Sequence, residues 1–117
     1  MAFSTHLLDQ ALKQKERKRE EARQQYLSKV REALHTLAGE IPFEEAYIFG
    51  SLTRPGRFAA GISDVDIAFK GLRDEDFFRA MSFLSAALGT ELDIIQLEGH
   101  PLEQKIKEEG ARWIRPG

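Results

Sequence analysis

The apolar residues of the first 38 positions recur at helical spacing and fall into two groups, at residues 7–12 and 26–37. Neither Pro nor Gly occurs between Ser4 and Ala38, good helix formers dominate, and Gly39 follows. This pattern predicts one long helix over residues 4–38, or two helices with a frayed joint. The charged stretch between the groups offers little to bury. We therefore expect the second half to pack on the domain and the first half to project into solvent or toward a partner chain.

Three stretches in the middle of the chain have the composition or the alternating pattern of β-strands. They are "EEAYIFG" at residues 44–50, "SDVDIAFK" at 63–70 and "ELDIIQLEG" at 91–99. The first is a short apolar run, and the second alternates acidic and apolar residues with period two. Between them, "LTRPGRFAAGI" at 52–62 contains one Pro and two Gly. It is predicted to be a loop with at most a turn of helix at its start.

Two more helices are predicted in the second half of the chain. One has Asp74 as its N-cap, spans residues 75–88 and ends at Gly89, with an inner face formed by Phe77, Phe78, Met81, Leu84, Ala87 and Leu88. A short one lies between Pro101 and Gly110, and the tail either adds a brief strand or docks Trp113. The fold class is thus α/β (α+β), a mixed sheet of three to four strands covered mainly on one face. We divide the chain into a helical extension, 1–24, and a single domain, 25–117.

The composition limits the class of protein. An apolar share of 42% is near the globular norm, and a net charge of −2 does not indicate a nucleic-acid binder. The chain has no Cys, which excludes disulfides, thiolate catalysis and cysteine zinc sites. No apolar run is long enough to span a membrane, and the start becomes highly charged too soon for a signal peptide. We expect a cytoplasmic protein with no membrane contact.

The acidic residues of the strands are the first candidate chemistry. Asp64 and Asp66 are two apart on one strand and therefore share a face, roughly 7 Å from each other, while their apolar neighbours point to the core. Asp93 interrupts the apolar residues of the next strand. Two such carboxylates suit a hard divalent cation, above all magnesium. If the strands are neighbours, the three acids converge and a two-metal site can form.

Gly50-Ser51 is the second candidate. A glycine at the end of a strand lets backbone amides approach an anion, the Ser51 hydroxyl can donate to a phosphate oxygen, and Arg54 can add a positive charge. The acids and this loop together predict a site for a metal-bound triphosphate. Each feature also has an ordinary explanation when taken alone. Gly50-Ser51 is then a plain strand exit, the paired acids are a solvated strand face, and Asp93 pairs with Arg57 or Arg112.

"FGSLTR", followed by "SDVDIAF" and then "ELDIIQL", resembles the signature of the DNA polymerase beta superfamily, in particular its minimal nucleotidyltransferases. The resemblance covers roughly residues 25–115. It implies that Gly50, Ser51, Arg54 and Ser63 bind the nucleotide, and that Asp64, Asp66 and Asp93 bind two Mg²⁺ ions and carry catalysis. Thr53 and Pro55 replace the small residue and the glycine that the family usually has around the arginine, and the loop is longer than the usual one.

The resemblance implies a magnesium-dependent nucleotidyltransferase that moves a nucleoside monophosphate, AMP from ATP, onto a hydroxyl acceptor. The acceptor it suggests is a partner protein, since minimal members resemble antitoxins of HEPN-type ribonuclease toxins. Two alternatives stay open: an antitoxin that only binds its toxin, and an inert member of the fold. The base preference, the acceptor, a homo-oligomeric state and the role of the basic helix at 13–25 are left open, and no nucleic acid is required.

Overall fold

The computed structural model describes residues 5–56 and 65–116. Within these residues, the chain forms three α-helices and four strands in the order α1, β1, β2, α2, β3, α3, β4. A short 3-10 segment, called here the Gly-Ser turn, follows β1, and another opens α2. The bounds are α1 Thr5–Ala38, β1 Glu45–Phe49, the Gly-Ser turn Gly50–Thr53, β2 Val65–Lys70, the second 3-10 segment Asp74–Asp76, α2 Phe77–Leu88, β3 Leu92–Gln96, α3 Glu103–Glu109 and β4 Ala111–Ile114.

The four strands form one mixed sheet in the order β3-β2-β1-β4. β1 is antiparallel to both β2 and β4, whereas β2 and β3 are parallel and are connected through α2. This confirms the predicted fold class. The two alternatives predicted for the tail occur together. Residues 111–114 form a strand, and the Trp113 ring lies 5.3 Å from that of Phe43.

The main core lies on one face of the sheet, where the second half of α1 and the inner face of α2 pack on the strands. Val65, Ile67 and Phe69 of β2 point into it, as their alternation predicted. On the opposite face, the described residues include a smaller cluster of four that are buried, one of them from α3: Tyr47, Ala68, Leu97 and Ile106. The candidate site lies on this second face.

α1 is a single helix of 34 residues, which decides between the two predicted alternatives. From residue 27 onward its apolar residues are mostly buried, whereas Leu7, Leu8 and Leu12 are more than half exposed. The body measures 67 × 28 × 27 Å, so the first half of α1 extends well away from the sheet, as expected. Within residues 5–56 and 65–116, no helix is long and apolar enough to cross a membrane.

The beginning of α2 and two residues of its predicted inner face differ from the prediction. Asp74 caps no amide with its side chain and instead accepts a hydrogen bond from Gln96. Of the predicted inner face, Leu84 and Leu88 are buried, and Phe77 and Met81 pack against the core. Phe78 is 75% exposed and Ala87 is exposed, while Ala80, which the prediction omitted, is buried. Residues 77, 80, 81, 84 and 88 form one stripe at helical spacing, and residues 78 and 87 lie on its two flanks. The predicted end at Gly89 is correct, since this residue closes α2 in the left-handed conformation.

Arg115 ties the end of α1 to the end of β4. Its guanidinium donates hydrogen bonds to the carbonyls of Ala38, Ile41 and Phe43 at 2.7, 3.2 and 3.0 Å, and it lies over the Phe43 ring. The last carbonyls of a helix lack partners within the helix, so a cation at this position satisfies them and complements the helix dipole. The connection from α1 into β1 is fixed by this contact.

Candidate functional site

The Gly-Ser turn begins where β1 meets the acidic position of β2. Phe49, the last residue of β1, pairs with Asp66, and Gly50 follows with φ of +81°. A Cβ atom on Gly50 would lie 2.3 Å from Oδ2 of Asp66. Glycine is therefore required here for both its backbone angle and its missing side chain. The Asp66 carboxylate packs directly against the backbone of the turn.

The two described acids of the candidate site are neighbours on the parallel strands. Asp66 of β2 is in register with Asp93 of β3, just as Val65 is with Leu92. Since Val65 and Leu92 point into the main core, the two aspartates share the opposite face. Strands in a sheet are about 4.8 Å apart, so the two carboxylates lie within reach of one ion. The expected adjacency of these strands is confirmed.

The third predicted acid, Asp64, and the predicted nucleotide ligand Ser63 lie outside the described residues. Within residues 5–56 and 65–116, no group of three or more His, Asp or Glu side chains is placed to hold a metal ion. The described pair of Asp66 and Asp93 thus supplies two of the three expected carboxylates. The three-acid site and the individual roles of its members remain predictions.

Arg54 is located beside the turn but is turned toward α3. The turn itself is closed by the Arg54 amide, which donates to the Ser51 carbonyl at 3.1 Å, and by the Thr53 hydroxyl, which donates to the Gly50 carbonyl at 2.9 Å. The Arg54 guanidinium lies 3.7 Å from a carboxylate oxygen of Glu109. Both side chains are more than half exposed, so this ion pair is weak and can be exchanged for another anion.

A cleft of about 520 Å³ separates the Gly-Ser turn from α3. Lys105 lines it from α3, and sequence reasoning missed both this lysine and Glu109. The spacing of residues 102, 105, 106 and 109 places them on one helical face, a signal that the sequence contains. The sequence does not show which side of the sheet this helical face covers. The lining residues are Phe49, Gly50, Thr53, Arg54, Leu102, Lys105, Ile106, Glu109 and Gly110.

Arg23 of α1 contacts the same turn from its other side. It is buried, although it lies in the charged stretch that was expected to offer little to bury. Its guanidinium donates to Leu52 O in the Gly-Ser turn and to both carboxylate oxygens of Glu20. An arginine can be buried when its N–H groups find partners, which corrects the expectation. The hydrogen bond from Arg23 lowers the pKa of Glu20 to about 2, and the same contact raises that of Arg23.

The structure excludes one of the two ion-pair partners considered for Asp93. Arg112 forms an ion pair with Glu45, so it is not engaged with Asp93. Among residues 5–56 and 65–116, Asp93 has no ion-pair partner; the other proposed partner, Arg57, is outside the described residues. The histidines lie apart from the acids: His6 and His35 are exposed, and the His100 ring accepts the Leu102 amide.

Comparison with known proteins agrees with this geometry. No family model and no curated protein matches the chain. A solved structure described as "putative minimal nucleotidyltransferase" superposes with a TM-score of 0.57 at 28% sequence identity, covering 69% of this chain and 86% of the other. The chain has a nucleotidyltransferase fold. The likeness supports nucleotidyl transfer as a general function.

Proposed function

We propose that this protein is a magnesium-dependent nucleotidyltransferase that transfers AMP from ATP to a hydroxyl group of a partner protein. The observation that carries the proposal is the contact between Gly50 and the Asp66 carboxylate, with Asp93 in register beside it. That contact joins a turn suited to phosphates to a pair of acids suited to metal ions. A solvated strand face would not need a glycine held against its carboxylate.

The Gly-Ser turn and the adjoining cleft would bind the triphosphate. Ser51 is half-buried at the start of the turn, where its hydroxyl can donate to a phosphate oxygen. Arg54 and Lys105 line the cleft and can supply two positive charges to the outer phosphates. Binding at Arg54 would replace its contact with Glu109, which is solvent-exposed and easily broken.

The acids would hold two Mg²⁺ ions together with the phosphate oxygens. Asp66 and Asp93 offer carboxylate oxygens on one face of adjacent strands, a donor set that magnesium prefers, and Asp64 is expected to add a third. When bound, magnesium would neutralise the charge that develops on the phosphates and would make the acceptor hydroxyl a better nucleophile. The protein's contribution is placement: the Gly50 contact fixes Asp66, and the strand register fixes Asp93 relative to it.

The reaction would be a single displacement at the α-phosphorus. The acceptor oxygen forms a bond to this phosphorus while the bond to the bridging oxygen breaks, and pyrophosphate leaves. The acceptor proton passes to the Asp93 carboxylate. Asp93 is exposed, so it can return the proton to solvent after each turnover. Arg54 and Lys105 would stabilise the charge of the departing pyrophosphate.

A protein acceptor is proposed because α1 exposes Leu7, Leu8 and Leu12, an apolar surface that another protein could cover. By resemblance, the partner would be a HEPN-type toxin in a toxin–antitoxin pair. α1 offers a surface for it, since three leucines of its first half are exposed while its apolar residues from Leu27 onward are packed on the domain. A second copy of the chain could occupy the same surface, and we expect a cytoplasmic location.

Substitution of the acids tests the chemistry. With radiolabelled ATP and the partner protein, Asp66→Asn and Asp64→Asn should each reduce label transfer at least about 100-fold, because charge stabilisation in the transition state is lost. Glu40→Gln, at an exposed position after the end of α1 and outside both the cleft and the exposed leucines, is the control and should transfer normally. Thermal unfolding of each variant checks that the fold persists. Unchanged transfer in Asp66→Asn would contradict the mechanism.

Binding without catalysis is the second candidate, and the exposed leucines of α1 favour it. If a variant with Asp64 and Asp66 both changed to Asn still neutralises a co-expressed partner fully, the function is binding. Calorimetric titration with Mg·ATP addresses the inert alternative. Neither heat nor metal-dependent stabilisation would be expected from a protein that has the fold but no nucleotide site.

A further inference from the structure

We infer that Arg23 of α1 is a positioning residue that holds the Gly-Ser turn in the conformation needed for phosphate binding. The inference rests on the proposed function in assigning phosphate to this turn. The statement that Arg23 fixes the conformation of the turn depends only on the contacts seen in the structure. Arg23 and Asp76 are the buried charged residues among those the structure describes. Burying a charge is costly, so a buried arginine must be compensated by specific partners.

The partners of Arg23 fix the orientation of its guanidinium. Nε and Nη2 donate to the two carboxylate oxygens of Glu20 at 2.8 and 2.6 Å, a two-point contact within α1. Gln24 donates to the same carboxylate at 3.0 Å and steadies it. A two-point arginine–carboxylate pair restricts the plane of the group as well as its position. Nη1 is thereby aimed in one direction, away from Glu20.

Nη1 is aimed at the Gly-Ser turn. It donates to the carbonyl of Leu52 at 3.0 Å, across a separation of 29 residues. The carbonyls of Gly50 and Ser51 already accept the Thr53 hydroxyl and the Arg54 amide. Arg23 therefore supplies the hydrogen-bond donor for the third successive carbonyl of the turn, that of Leu52. With these carbonyls engaged, the turn cannot rotate its peptide units without breaking a hydrogen bond.

The Leu52 side chain provides a second anchor at the same residue. It is fully buried in the main core, whereas Gly50, Ser51 and Thr53 on either side are only half-buried. Its carbonyl is held by Arg23 and its side chain by the core, so Leu52 is the fixed point of the turn. The distance from Gly50 to the Asp66 carboxylate depends on this point. Loss of Arg23 should loosen the turn without removing any group that touches the nucleotide.

Hydrogen exchange tests the inference independently of activity. In Arg23→Gln, the amides of residues 51–54 should exchange at least about tenfold faster than in the wild type, while the core amides of β1 and β2 change less. Arg23→Lys keeps the charge but lacks the two-point pair, and should give an intermediate rate. Glu20→Gln, which leaves Arg23 in place but weakens its orientation, should also accelerate exchange. Arg17→Gln, at an exposed position of the same helix, should have no effect.

Binding of Mg·ATP gives the functional readout. We expect Arg23→Gln to weaken it about tenfold, with Arg23→Lys in between and Arg17→Gln unchanged. Equal acceleration of the turn and the core strands would show a general loss of stability and overturn the inference, as would unchanged exchange in the turn. If the wild-type protein binds no Mg·ATP, the proposed function fails, and the exchange rates still decide whether Arg23 fixes the turn.

Discussion

Gly50 combines two requirements that can be separated by substitution. Its φ of +81° is disfavoured for residues with a side chain, and its missing Cβ leaves the space that Oδ2 of Asp66 occupies. Gly89, at the end of α2, has a positive φ of 65° but nothing within 4 Å of the corresponding Cβ position. Both glycines therefore need a positive φ, but only at Gly50 would a side chain also clash with a neighbouring residue.

Gly50→Ala should destabilise the protein and also displace the Asp66 carboxylate. Gly89→Ala should cost only the backbone strain, on the order of 1 kcal/mol in the free energy of unfolding. We expect binding of Mg·ATP to be lost in Gly50→Ala and retained in Gly89→Ala, measured by calorimetric titration alongside urea unfolding. Normal binding in Gly50→Ala would show that the contact with Asp66 is not needed.

The residues with a chemical pattern were predictable from sequence, and those with only a geometric role were not. Gly50, Asp66 and Asp93 stand out because a glycine or an acid in an apolar strand is unusual. Arg23 lies among many other charged residues of α1. Its burial depends on a carbonyl 29 residues away, which a local pattern cannot reveal. Lys105 was missed for the same reason, since its cleft forms between two separate elements.

Among the elements, the strands were better predicted than the faces of α2. Period-two alternation assigns each strand residue to a side unambiguously, and the alternation of β2 is seen in the structure. The width of the buried face of a helix such as α2 depends on how neighbouring elements pack on it, so residues at the margin of the apolar stripe cannot be assigned from their spacing alone. Phe78 was consequently placed inside although it is 75% exposed. The pairing of β1 between β2 and β4 also required the tertiary structure, because local sequence does not specify strand order.

The ion pair between Arg54 and Glu109 links the Gly-Ser turn to α3 and competes with a phosphate ligand. Glu109→Gln should free Arg54 and tighten binding of pyrophosphate or Mg·ATP. The gain should be no more than about fivefold, because an exposed ion pair contributes roughly 0–1 kcal/mol. Titration calorimetry with each ligand measures it.

Glu108→Gln is the control for Glu109→Gln. It removes the same charge from α3, but Glu108 accepts a hydrogen bond from Gln104 and does not line the cleft. An equal gain in both variants would mean that the net charge of the helix, rather than the contact with Arg54, sets the affinity. No gain in either would mean that Glu109 does not compete with the ligand.

The stability of the whole molecule should fall in acid, because two carboxylates have lowered pKa values in the folded state. The pKa of Glu20 is lowered from 4.5 to about 2, mainly by its hydrogen bond from Arg23, and that of Glu45 is lowered mainly by its hydrogen bond from Arg112. Between the folded and unfolded pKa values, the unfolded chain binds more protons. The stabilisation is therefore complete above about pH 4.5 and is lost as the pH falls toward about 2.

Urea unfolding from about pH 6 to about pH 3 measures this loss. A variant with Glu20→Gln and Glu45→Gln should be less stable than the wild type at the higher pH, and its stability should fall less steeply with acid. Glu21→Gln, at an exposed neighbouring position for which the described residues include no ion-pair partner, should follow the wild-type curve. Parallel curves for the double variant and the wild type would contradict the assignment.

The bonds that Arg115 makes to Ala38, Ile41 and Phe43 span more than 70 residues of sequence and have a consequence for biosynthesis. During synthesis, α1 and β1 leave the ribosome long before residue 115 is made. Until then, β1 lacks its β4 partner, and its unpaired edge can pair with another chain. The newly made chain is thus exposed to aggregation through β1 until β4 covers that edge.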